Sequence, residues 1–384
     1  MIVNSAVIFG AGKIARGFIA HLLTLSGYHL TFVERAATLV ALLRERQLYR
    51  VGIMGRPERD IVIQGFEVLS TGELSAVAAA VARASVVFVS VGGPNLPQVA
   101  PLLAEGVRRA HKTGRVQPLN VVLCENYFQP AQWLRQLVAE ELSSDEAGWF
   151  SGNVGIVETM VLRSTIEPSE AERVLDPLFL RAQDMWELFA DKSAFVGAPP
   201  SIEGLRLQDN FQGSLVRKLF TYNAINAVLA YTGYLKGHTL LSDAANDGAL
   251  LQLARDASQE ASLALCVKYG FGPEDQRAFA ESAIAKYQKV EIVDPIERNA
   301  RDPIRKLGRH DRLVGPACLA LECGVQPKAL SRAIAAAFHY DHPADPSALR
   351  LQGLIRNLGL PAVLQQVCEI DPNGELALQV IQAF

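Results

Sequence analysis

The residues best suited to chemistry crowd into one helical stretch, Phe211 to Tyr231. Within it, Arg217-Lys218-Leu219-Phe220-Thr221-Tyr222-Asn223-Ala224-Ile225-Asn226 sets a lysine and two asparagines among apolar side chains. At about 100° per residue, Leu215, Tyr222, Ile225 and Leu229 fall within roughly 60° of Lys218, with Asn226 at about 80° and Asn223 at about 140°. Ser214, Arg217, Thr221 and Ala224 share one side, the one a solvated helix turns to water. An amine drawn into an apolar sector is poorly hydrated when charged, so its pKa falls toward neutrality and the neutral amine can accept a hydroxyl proton. Neighbouring carboxamides can donate hydrogen bonds to the same oxygen as negative charge develops on it. The pattern alone leaves a second reading, in which Lys218 snorkels to the helix edge and the asparagines satisfy backbone groups.

A second constellation lies near the N-terminus. Gly10-Ala11-Gly12-Lys13-Ile14-Ala15 directly follows the strand-like Ala6-Val7-Ile8-Phe9 and opens a helix, the context that a G-x-G-x-x-G/A dinucleotide loop requires. Gly10 and Gly12 let the backbone approach a pyrophosphate, and the helix N-terminus near Lys13 and Ile14 meets its charge. Glu34, ending the strand Leu30-Thr31-Phe32-Val33, stands where an acid accepts hydrogen bonds from ribose hydroxyls and repels a 2′-phosphate, favouring NAD over NADP. Arg35 beside it can draw that phosphate instead if Glu34 turns away. The loop Val91-Gly92-Gly93-Pro94-Asn95, with Gly92 as its candidate contact, is either a wall of the cofactor site or a plain turn.

Both constellations need a scaffold. Val86-Val87-Phe88-Val89 and Val121-Val122-Leu123 join the two strands above as short continuous apolar runs, the mark of parallel strands covered on both faces. The fold class is α/β: an N-terminal Rossmann-type doubly wound sheet followed by an all-α C-terminal domain. Leu48 to Leu69, with Gly52, Gly55 and Gly65, reads as a hairpin-like insertion, and Gly155 to Val161 as the strand closing this half. Gly197-Ala198-Pro199-Pro200 reads as a connector. Beyond about Leu205 the pattern is helical without a convincing strand. A chain of 384 residues with 49% hydrophobic content supports two cores, so the expected domains are 1–197 and 201–384.

Composition narrows the function. A formal net charge of −3 gives no basic field for nucleic acid. No run is long and apolar enough for a membrane span, and Met1-Ile2-Val3-Asn4-Ser5 lacks a basic leader, so a cytoplasmic protein without a membrane partner is expected. The five cysteines form no CxxC pair and read as free thiols. The histidines show no ligand spacing such as HExxH, so no metal is expected.

The spacing Lys218, four residues, Asn223, two residues, Asn226 resembles the Lys-x4-Asn-x2-His signature of the polyol-specific long-chain dehydrogenases, most nearly in their bacterial mannitol-1-phosphate 5-dehydrogenase branch. Similar blocks run in order along the chain: Gly10 to Phe18, Pro118-Leu119-Asn120 through Cys124-Glu125-Asn126, Asp191-Lys192 through Ala198, Arg217 to Thr221, Tyr269-Gly270-Phe271, and Pro303 to Leu307. The resemblance implies metal-independent transfer of a hydride to NAD, with Lys218 as general base and with Asn223 and Asn126 around the reacting oxygen. Asn126 also borders the cofactor loops. Where the signature carries histidine this chain has Asn226, which cannot titrate. Loss of turnover, leaving a non-catalytic NAD-binding protein, is therefore the alternative from another class.

At the substrate end, Arg298, Arg301, Arg305, Lys306, Arg309 and Arg312 form the densest basic cluster, suited to a sugar phosphate. Glu297, Asp302 and Asp311 interrupt it, so a surface ion-pair network fits equally well. Arg301, Arg305, Lys306 and His238 are the candidate substrate contacts. The expected substrate is a small-molecule polyol or sugar phosphate, with mannitol 1-phosphate and fructose 6-phosphate as the family-based pair, or else an unphosphorylated polyol or sugar acid. The chain is expected as a monomer or small homo-oligomer.

Overall fold

The computed structural model describes residues 4–127, 129–166, 168–290 and 292–384, so Met1-Ile2-Val3, read above for a leader, lie outside the described residues. The chain forms two compact units, Met1–Phe211 and Gln212–Phe384.

Among its described residues the first unit carries twelve strands: β1 Ser5–Phe9, β2 His29–Glu34, β3 Leu48–Ile53, β4 Ile61–Gln64, β5 Glu67–Ser70, β6 Val86–Val89, β7 Leu119–Leu123, β8 Val154–Val161, β9 Thr165–Ile166, β10 Leu180–Ala182, β11 Leu188–Asp191 and β12 Leu205–Gln208. The main sheet runs β12-β11-β8-β7-β6-β1-β2-β5. From β8 to β5 every neighbouring pair is parallel, giving the Rossmann order in which strand succession reverses between β1 and β6. Helices cover both faces, which is why β6 and β7 are buried at every residue. A crevice for a ligand belongs at the carboxyl ends of β1 and β6, where the Gly10–Gly12 and Val91–Asn95 loops begin.

Two expectations are corrected here. Leu48 to Leu69 is not one insertion: β3 and β4 form an antiparallel hairpin in a second sheet ordered β4-β3-β10-β9, while β5 extends the main sheet beside β2. Nor does the strand content stop before Leu205. Past the Gly197–Pro200 connector, β12 pairs in parallel with β11, so the sheet claims residues through Gln208 and the units divide at Phe211. A four-residue strand with two exposed members, Arg206 and Leu207, has too little apolar alternation to be seen in sequence.

Several of the blocks quoted above meet in space. Asn120 binds Val196 through both ends of its carboxamide, at 3.1 and 3.0 Å. A Cβ on Gly155 would stand 2.2 Å from the Asn120 Oδ1.

Among the described residues the second unit is built of helices. At its centre lies Ala224–Leu235, in which Ala227 through Tyr231 are fully buried. A helix apolar on every side must be surrounded, and Ile296–Ala300, Gly248–Tyr269 and Lys328–Phe338 surround it. The Tyr231 and Tyr340 rings meet edge to face, 5.6 Å apart. No described helix is long and apolar enough to cross a membrane.

Candidate active site

The cofactor loop is held from several sides. Gly10 has φ +89°, and a Cβ there would lie 2.3 Å from the Ser90 carbonyl oxygen of the neighbouring strand end, so only glycine fits. At Gly12 a Cβ would meet nothing within 4 Å. That open space beside the helix N-terminus is the cradle that a pyrophosphate requires. Lys13 is exposed and Ile14 half-buried.

Glu34 has not turned away. Its carboxylate accepts the Ala11 N–H at 2.7 Å, the Arg35 N–H at 2.8 Å and the Ala36 N–H at 2.9 Å. An acid fixed at the end of β2 suits ribose hydroxyls and opposes a 2′-phosphate. Arg35 instead reaches the β6 loop, donating to Gln98 at 2.9 Å and to Asn95 at 3.4 Å. These residues fit NAD. When bound, it supplies the two-electron acceptor.

Two supports of this loop region escaped the sequence reading. Arg16 is buried and donates to the carbonyls of Ala11 and Leu178, at 2.7 and 2.8 Å, pinning the glycine loop from behind. Glu125, also buried, accepts the N–H groups of Val91 and Gly92 at 2.7 and 3.2 Å. Burial pushes its carboxyl up to about 7, against the lowering effect of those amides. Gly92 has φ +84°, and a Cβ on Gly93 would overlap the Tyr127 ring. Asn126, next to Glu125, is exposed. Adjacency to Gly17 and to Asn126 was the only signal for Arg16 and Glu125.

In the second unit, Phe211–Lys218 passes into a π-turn, Leu219–Asn223, before Ala224–Leu235. A π-turn absorbs about one extra residue, so Lys218 to Asn226 spans roughly seven α-helical steps rather than eight, bringing the two within about 20° of one face. The same widening occurs after the cofactor loop, at Ala15–Ile19. Each π-turn has a carbonyl taken by a tyrosine hydroxyl: Tyr49 donates to Arg16 and Tyr287 to Tyr222, both at 3.0 Å.

The face expected to meet water is instead buried. Thr221 and Ala224 lie inside, and Ser214 nearly so. Fully buried Gln276, from the helix Pro273–Tyr287, explains this: it donates to Thr221 and Ser262 at 3.0 Å and accepts from Arg217 at 2.7 Å. Arg217 is further sandwiched between the rings of Phe279 and Phe271. A helix wheel cannot reveal a polar residue arriving from another helix.

Lys218 is half-buried. Burial, and after it the charges of Lys286 and Arg312, pushes its amine down to about 8. Asn223 is half-buried. Asn226 donates to the Asn299 side-chain oxygen at 3.0 Å, and Asn299 donates in turn to Asp294 at 2.6 Å. Lys306, which is buried, donates to the Asn299 carbonyl. Burial, then Arg312 and Arg305, pushes Lys306 down to about 7. The unit thus holds two amines poised near neutrality.

The other candidate substrate residues diverge. Arg305 lies exposed between Asp302 and Asp311, at 2.9 and 3.3 Å, in a surface ion-pair network. Arg301 is exposed. His238 pairs with Asp247 at 3.3 Å, the residue that caps Gly248–Tyr269 and also binds Lys236. Among the described residues no three His, Cys, Asp or Glu side chains group as a metal site, and all five cysteines are free.

Comparison with known proteins bears on these arrangements. Residues 4–204 match the mannitol dehydrogenase Rossmann domain and residues 212–380 the mannitol dehydrogenase C-terminal domain. A mannitol-1-phosphate 5-dehydrogenase of Brevibacillus brevis is 36% identical over 98% of this chain and 96% of its own. Among solved structures, a ternary complex of Pseudomonas fluorescens mannitol 2-dehydrogenase with NAD and D-mannitol has TM-score 0.76 at 17% identity, covering 99% of this chain and 91% of that one. A D-sorbitol dehydrogenase in substrate-free form has TM-score 0.81 at 16% identity, covering 99% and 94%. At such identities the two structures speak for the fold alone. The family models, together with the relative matched almost end to end, show that this chain belongs to the mannitol dehydrogenase family, whose class is that of the NAD-dependent polyol dehydrogenases.

Proposed function

We propose that the chain catalyses reversible, metal-independent oxidation of a hexitol phosphate, mannitol 1-phosphate, to its keto-sugar phosphate, fructose 6-phosphate. The observation that carries this is the Lys218 amine, pushed down to about 8 and set on one helical face with Asn226. Neutral Lys218 takes the proton of the substrate hydroxyl as the carbonyl forms. Asn223 and Asn226, with Asn126 assigned by the family resemblance, donate hydrogen bonds to that oxygen while its charge develops. Lys306 donates an N–H to the Asn299 carbonyl. It orients the substrate; Arg301, Arg305 and His238 stand behind it as weaker candidates. The name of the Brevibacillus brevis relative supports a phosphorylated substrate.

Following reduced nicotinamide by absorbance with fructose 6-phosphate, fructose and a hexuronate tests the reading. Fructose 6-phosphate should be consumed fastest. Faster reaction of fructose or the hexuronate would move the assignment to an unphosphorylated polyol or a sugar acid. No consumption with any of them would leave a binding protein without turnover, the reading that asparagine in place of the motif histidine keeps open.

A further inference from the structure

The arginine-rich stretch contains one guanidinium unlike the rest. Arg312 keeps only 14% of its side chain exposed, whereas Arg305 keeps 53% and Arg298 67%. Its Nε donates to the Asp311 carboxylate at 2.7 Å, and the Arg312 backbone N–H reaches the same oxygen at 2.6 Å. Asp311 also binds Arg305, so one carboxylate fixes the guanidinium by its stem side. Neither terminal nitrogen of Arg312 has a hydrogen-bond partner among the described residues. A planar fork held by Nε and left open at both Nη atoms is the geometry that grips phosphate oxygens in pairs.

Its surroundings point the same way. The charge of Arg312 is felt by Lys218, Lys306, Tyr231 and Tyr287, which places it at the centre of the polar cluster rather than on the outer surface. Lys306 lies against the Tyr231 ring, 5.9 Å from its centroid, and holds the Asn299 carbonyl, while the Asn299 side chain holds Asn226. Sequence reading chose Arg301 and Arg305 by density alone; the structure leaves those two exposed.

We propose that Arg312 is the anchor for the substrate's phosphate, gripping it through both terminal nitrogens while Asp311 sets the angle of the guanidinium. The proposal rests on the phosphorylated-substrate reading above and assigns its specificity to one side chain. A bound dianion also offsets the repulsion that Lys286 and Arg312 exert on Lys218, so the phosphate and the base are electrostatically linked.

The test compares wild type, Arg312→Gln and Arg312→Lys in the full chain, with NAD binding and thermal melting as folding controls. KM and kcat are measured for fructose 6-phosphate and fructose, along with inhibition by inorganic phosphate. Arg312→Gln should raise KM for fructose 6-phosphate roughly 30- to 1,000-fold, lower kcat/KM for fructose by a much smaller factor and abolish competition by inorganic phosphate. Arg312→Lys, which keeps charge but loses the fork, should fall between. Equal losses with both sugars, or undiminished competition by inorganic phosphate in Arg312→Gln, would overturn the assignment. If wild type turns over only an unphosphorylated sugar, the functional reading fails by itself, and phosphate competition against that sugar still reports on Arg312.

Discussion

Asn226 gives an amide hydrogen to the side-chain oxygen of Asn299 across 3.0 Å, and this bond fixes the orientation of its carboxamide. Asn299 is itself held by Asp294 and by the Pro295 carbonyl, at 2.6 and 3.0 Å, so the position is preorganised. In the proposed reaction, asparagine there keeps the orienting half of a histidine's role and gives up the titrating half.

Replacing Asn226 by histidine should preserve the bond to Asn299 and add a second ionisation to the pH profile of kcat. Asn226→Ala should lower kcat/KM about 5- to 100-fold, because a half-buried acceptor loses its donor. Steady-state kinetics at several pH values distinguishes the two variants. An unchanged alanine variant would remove Asn226 from the reaction.

Lys218→Met should reduce kcat about 10²- to 10⁴-fold, the range for a lost acid–base group, with NAD affinity unaltered. Titration by nicotinamide fluorescence beside turnover assays separates these effects. A variant that loses NAD binding as strongly as turnover would point to a structural role.

The pH dependence follows from the direction of the shift. Since the Lys218 amine is pushed down to about 8, it is mostly charged below that pH and mostly neutral above it. Polyol oxidation needs the neutral form and should rise with pH to a plateau beyond about 8, while ketose reduction should fall over the same range. Lys306→Met should keep this inflection; its disappearance in that variant would make Lys306 the base.

Glu34→Ala frees the Ala11, Arg35 and Ala36 amides and removes the charge that opposes a 2′-phosphate. The KM for NAD should rise about tenfold, and the preference for NAD over NADP should shrink by more than that, as Arg35 becomes available. Kinetics with both nucleotides reads the ratio. An unaltered ratio would place discrimination elsewhere.

Glu125 provides a test by stability. Its carboxyl sits at about 7 when folded, so between the ordinary carboxyl range and neutrality the folded chain holds a proton that the unfolded chain has released. Its contribution to stability therefore declines as pH rises through that window. Glu125→Gln should flatten the pH dependence of the melting temperature between about pH 5 and 7. Equal slopes for both proteins would mean that another group carries the proton.

Sequence pattern reached the features that depend on local chemistry. The cofactor loop was legible because strand, glycines and helix are contiguous, and the Lys218 motif because its spacing is characteristic. What remained hidden depends on partners distant in the chain. Arg16 looks like an ordinary helix arginine until Leu178 supplies its carbonyl. Thr221 belongs to a water-facing stripe until Gln276 covers it. Arg312 is one of six basic residues until burial and Asp311 single it out. The angle between Lys218 and Asn226 was misread because a wheel with uniform steps has no place for a widened turn.

That widened turn, Leu219–Asn223, is a helix with one bead to spare. Because the flanking segments stay in phase across it, losing a single residue there would let the backbone close as regular helix with both ends still seated. The fold would survive such a deletion and Lys218 would keep its angle to Asn226, while the hydroxyl of Tyr287 would lose its berth and Asn223, inside the turn, its place beside them. A change of length at this one place, without any exchanged side chain, is then the shortest route by which a descendant of this chain could lose or redirect its chemistry.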